Sequence, residues 1–183
     1  MFNLPIQIAQ AVFSLGLISS VVTAGAFQTA STGVSDASAQ TAVVEQQAAD
    51  RAGKIDKYFK DHEMPLFSQG KEFVLAAEAN ELDWRLLPAI AVQESTGGLQ
   101  ACHSDRFNVF GWASCNIDDY KKFSSYKDAI WTIASHLGGN KESTKDYYDG
   151  GTTREILYSY NGSVRHDYID EVVAKMNTIS SVK

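Results

Sequence analysis

No Lys, Arg, Asp or Glu precedes Asp36 in this chain of 183 residues. Ala11 to Phe27 is almost continuously apolar or small. That stretch, roughly 15 residues, is shorter than the ~20 a membrane-spanning helix needs. Ala24-Gly25-Ala26 gives the small-residue pattern that a signal peptidase accepts, so 1–27 reads as a signal peptide or an N-terminal anchor. One usual feature is missing, because Met1 to Gln10 contains no basic residue and only the amino terminus supplies positive charge. The expectation is export to the periplasm, the cell wall or the medium, with membrane attachment through this segment as the alternative.

Basic clusters are also missing. The net charge of -6 lies wholly after the first segment, and phosphate neutralisation needs grouped Lys or Arg, so nucleic acid is excluded as the expected partner. The four histidines, His62, His103, His136 and His166, have no metal-ligand spacing, and no metal or cofactor is expected. There is no Gly-x-Ser-x-Gly elbow, phosphate loop or dinucleotide fingerprint. Alternating β-branched stretches are lacking too, which argues against a sheet.

Cysteine is scarce but paired. Cys102 and Cys115 would close a loop of about a dozen residues, and in an oxidising compartment their disulfide would stabilise by roughly 3 kcal/mol in the chain-entropy model. A metal reading is weaker, since two Cys and the neighbouring His103 fall short of four ligands.

What remains is a single helical domain. Residues 28–41, rich in Ser, Thr, Ala and Gly, read as a flexible linker. Residues 42–63 read as a loosely amphipathic helix that either packs on the domain or stands off as a stalk, broken by Met64-Pro65. In 64–183, Phe73, Val74, Ala77 and Leu82 space one helix. Asp83 is placed to cap a second running from Trp84 to Ser95, which Gly97-Gly98 stops. Ser125 with Asp128, and Thr152 with Glu155, resemble capping boxes. A last helix spans residues 166–180 with Ile169, Val172, Val173, Met176 and Ile179 as its apolar stripe. Cys102 to Phe123 should form a short hairpin or an irregular lobe. A monomer is expected.

The segment richest in chemistry is Ala89-Ile90-Ala91-Val92-Gln93-Glu94-Ser95-Thr96-Gly97-Gly98. It sets Glu94 in the last turn of an apolar helix, where poor solvation and the negative helix C-terminus both favour the protonated form. A general acid working near neutral pH needs that shift. Three further segments follow in order: Asn108-Val109-Phe110-Gly111, then Phe123-Ser124-Ser125-Tyr126 before Ala129-Ile130, then Tyr160-Asn161-Gly162. Together with Glu94-Ser95 they resemble the soluble lytic transglycosylases and related endo-β-N-acetylglucosaminidases of the lysozyme-like superfamily, over roughly Leu66 to Ile179.

The resemblance implies a mainly α, lysozyme-like fold that cleaves peptidoglycan glycan strands. It implies that Glu94 protonates the glycosidic oxygen and that Ser95 meets the substrate or holds the carboxyl, unless its hydroxyl bonds backbone. Asn108, Phe110 and Gly111 would line the sugar cleft, with Phe110 alternatively in the core. Tyr160 would reach Glu94, and Asn161 would contact sugar or fix its loop. A second carboxylate is not marked. Asp105, Asp118 and Asp119 are candidates, each more readily read as an exposed loop residue. One Glu acting first as acid and then as base, as in a lytic transglycosylase, removes the need for a partner. The alternatives are a hydrolytic glucosaminidase or muramidase, and outside enzymes a catalytically lapsed wall-binding module.

Overall fold

The computed structural model describes residues 33–113 and 122–183, with side chains from Ser38 onward. Helices build the fold, and among the described residues there is no strand, only one isolated antiparallel bridge between Cys102 and Asp105. The export segment, Cys115, Asp118 and Asp119 lie outside the described residues, as does the hairpin expected around them.

Helix α1 spans Gly33–Asp61. It therefore begins inside the stretch read as a linker, because Val34 to Thr41 holds no Pro or Gly and can extend a helix once a packed segment has nucleated it. Its two ends differ. Ser38 to Gln47 are exposed, whereas Ile55, Tyr58 and Phe59 are buried in the core. The helix thus passes from an exposed first half to a packed second half along one element.

Helix α2 (Gly70–Ala79) packs against α1. Helix α3 (Leu86–Ser95) is the centre of the domain, with every residue from Leu86 to Val92 buried. It starts two residues later than expected. Asp83 does not cap it but takes the Arg85 backbone N–H at 2.9 Å and the Arg85 guanidinium at 2.6 Å, shaping the preceding turn. Pro88 falls in the first turn, where its missing N–H has no intrahelical acceptor to lose.

Helix α4 (Tyr126–Leu137) opens on Ser125, whose Oγ accepts from the Asp128 N–H at 3.1 Å. The reciprocal arm reaches one residue further back, with the Asp128 carboxylate accepting from the Ser124 N–H and hydroxyl. After the short α5 (Lys145–Tyr148), Thr152 and Glu155 form the complete capping box of α6 (Thr153–Leu157). A π turn at Tyr158–Gly162 follows, and α7 (Tyr168–Ser181) closes the fold against α3 and α1. Tyr168, Val172, Met176 and Ile179 are its buried face.

Candidate functional site

Thr96 and Gly97 end α3 with φ of +52° and +62°. At Gly97 a Cβ would come within 2.4 Å of the Met64 sulfur, so both the left-handed backbone and the contact require glycine. This reversal sends the chain back along α3. Ser95 holds it there: its buried hydroxyl donates to the Val109 carbonyl at 2.7 Å, lies 3.0 Å from the Ala91 carbonyl and accepts from the Gly98 N–H at 3.0 Å. The Ser95 hydroxyl is thus committed to backbone, the alternative left open for it. It tethers the Val109–Gly111 segment to the end of α3, beside Glu94.

Asn108 is likewise turned inward. It is 1% exposed, donates from Nδ2 to the Trp112 carbonyl at 2.8 Å, and accepts the Trp112 N–H on Oδ1 at 3.0 Å. An amide so committed clamps a turn and has no face for sugar. Phe110 is fully buried, so the core alternative holds and it offers no stacking surface. Gly111 does reach the site. It is exposed, has φ +60°, and a Cβ there would stand 3.1 Å from Glu94 Oε2.

Glu94 is half-buried, with Oε1 accepting the Tyr168 hydroxyl at 2.6 Å. Burial raises its pKa above the ordinary 4.5 and outweighs the Tyr168 hydrogen bond and the nearby Arg165 charge, which pull the other way. Tyr168 itself is fully buried at the first residue of α7, and burial, with the charges of Tyr160 and Glu94, pushes its phenol far above 10.0. It remains a donor at every physiological pH. The hydroxyl expected from Tyr160 therefore comes from Tyr168. Tyr160 donates to the Phe110 carbonyl, and its ring lies parallel to Tyr168, 6.1 Å away at 10°. At Asn161 the backbone carbonyl accepts the Val164 and Arg165 N–H groups at 3.1 and 2.9 Å, closing the turn after the π segment.

Behind the pair, Arg165 stands 5.5 Å over the Tyr168 ring and ion-pairs with Glu171 at 2.7 Å; Gln93 donates to the same Glu171 oxygen at 2.6 Å. None of these three was anticipated. Gln93 and Glu171 link the polar edges of α3 and α7, whose apolar faces the sequence pattern did expose.

Asp105 departs from the exposed-loop expectation. It is 6% exposed, and its two oxygens accept the Phe107 N–H at 3.1 Å and the Phe123 N–H at 3.0 Å. It ties the start of the lobe to its end. Cys102 has no free thiol, while its expected partner Cys115 is outside the described residues. No known family model, curated protein or solved structure matches the chain.

Proposed function

We propose that this protein is a lytic transglycosylase of the lysozyme-like superfamily, cutting the β-1,4 bond between N-acetylmuramic acid and N-acetylglucosamine in peptidoglycan. The observation that carries the reading is Glu94 itself. It is a half-buried carboxyl at the end of an apolar helix, held by one neutral hydroxyl and raised in pKa by burial. A group of this kind keeps its proton closer to neutral pH and can deliver it.

In the first step Glu94 gives its proton to the glycosidic oxygen, the muramoyl C1–O bond breaks, and the N-acetylglucosamine side leaves as an alcohol. In the second, the muramoyl 6-hydroxyl attacks C1 and returns its proton to Glu94. The product is a 1,6-anhydro ring and the acid is restored. Hydrolysis with two carboxyl groups would need a partner about 5–5.5 Å away for retention or 6.5–9.5 Å for inversion. Asp105, with each oxygen already holding a backbone N–H in the lobe, is a poor partner. The reading takes the protein as exported and Cys102–Cys115 as a disulfide.

Mass spectra of digested peptidoglycan test it. Anhydromuramoyl ends, one water lighter than hydrolysed ends, are expected. Reducing muramic acid or reducing N-acetylglucosamine ends would replace it with a muramidase or a glucosaminidase. Release of no fragments by folded wild-type protein would leave a wall-binding module instead.

A further inference from the structure

With Phe110 in the core, the expected aromatic face for a sugar has to come from elsewhere. Trp112 is partly exposed and stands two residues on, next to Gly111. Its backbone is held at both ends by Asn108, and Gly111 abuts the Glu94 carboxylate. The backbone that carries the indole is therefore held close to the acid. It lies 4.8 Å from the His136 ring at 36° and 5.8 Å from Tyr160 at 45°. Tyr160 in turn stacks on Tyr168, which hydrogen-bonds Glu94. Four rings run as a continuous row from α4 to the carboxyl.

We propose that Trp112 is a stacking platform for a pyranose ring of the glycan bound next to Glu94, an assignment that rests on the glycan-cleaving reading above. A pyranose presents an apolar face of C–H groups, and the exposed part of an indole held against two rings offers aromatic surface to it at little entropic cost. The clamp explains itself in these terms. An Asn buried at 1% exposure and devoted to one residue's N–H and C=O holds that residue's backbone, while His136 and Tyr160 limit where its ring can go. Tyr160, through the Phe110 carbonyl, braces the same turn from the far side.

The test uses full-length protein carrying Glu94→Gln, so that glycan is bound and not cut, with the β-1,4-linked N-acetylglucosamine tetramer as probe. Calorimetric titration should show saturable binding, weakened about tenfold by adding Trp112→Leu, which keeps apolar bulk and removes the flat ring. Trp112→Phe, a smaller ring, should fall between them. The ligand-induced change in indole fluorescence should vanish in both double variants, although Trp84 and Trp131 remain. Unchanged tetramer affinity in a Trp112→Leu variant with native circular dichroism overturns the platform, even where wild-type protein cleaves peptidoglycan. If wild-type protein releases no fragments and the Glu94→Gln protein binds no tetramer, the glycan reading falls and takes the platform with it.

Discussion

Asp105 and Glu94 are both acidic side chains withdrawn from water, and the fold treats them in opposite ways. In the lobe, Asp105 is surrounded by donors, and each of its oxygens holds a backbone N–H from a different part of the loop. At the junction of α3 and α7, Glu94 has one hydroxyl on one oxygen, while the other faces Gly111, where no side chain intervenes. A satisfied carboxylate is a fastening. One that burial pushes toward its protonated form, with an oxygen left toward an exposed glycine, is available for proton transfer.

The sharpest way to break that contrast is to exchange the two residues' expected losses. Glu94→Gln should fold normally and release peptidoglycan fragments about 10²–10⁴-fold more slowly, the usual cost of losing a general acid. Release near the wild-type rate would mean that the proton comes from another group. Asp105→Ala should do the reverse, leaving two backbone N–H groups in the lobe without partners at about 1–3 kcal/mol each. Its chemical denaturation midpoint should fall clearly, and any loss of activity should follow the fraction unfolded.

Smaller changes sharpen the comparison at Glu94. Gly111→Ala places a Cβ 3.1 Å from Oε2 at a φ of +60°, and the left-handed strain of about 1–2 kcal/mol with the crowding should lower kcat about tenfold. Tyr168→Phe removes a hydrogen bond that favours the ionised carboxyl, so the pKa of Glu94 rises further. The alkaline limb of its pH–rate profile should move to higher pH, and a shift to lower pH would contradict the assigned donor. Stability carries the same sign information. Glu94 binds its proton more tightly in the folded state than unfolded, so this contribution is complete below the ordinary value of 4.5 and is lost as pH rises through the raised value. Glu94→Gln should therefore melt slightly higher than wild type at about pH 8, and the two should converge at about pH 4.

How far the sequence reaches is visible in α7. Val172, Met176 and Ile179 were recognisable as its apolar stripe, yet the same 3.6-residue spacing carried back one turn lands on Tyr168 and puts its side chain on the face toward α3. The Tyr160-Asn161 motif points to a different tyrosine from the one that this spacing marks. The π turn at Tyr158–Gly162 then directs Tyr160 to the Phe110 carbonyl, a local winding that apolar spacing does not reveal. Glu94 was legible because burial of a helix end can be read from its apolar neighbours. Ser95 and Asn108 were legible only as polar residues near the site. Whether a hydroxyl or amide faces ligand or backbone depends on where the reversal at Thr96-Gly97 brings Val109 and Trp112, and that is decided in three dimensions.

Helix α1 ends half in the core and half outside it, and this has a kinetic consequence. Ser38 to Gln47 have no burial to stabilise them, and a helical stretch of about ten residues is marginal in water, so its order depends on continuity with the packed turns after Ala48. Backbone amides along this one uninterrupted helix should therefore exchange with deuterium over a steep gradient, fast before Ala48 and protected from Ile55 onward. A protease acting in the exposed half should nick the stem and leave the melting temperature of the remaining domain unchanged. The arm takes its order from the domain and adds little to the domain's stability, although no loop separates them.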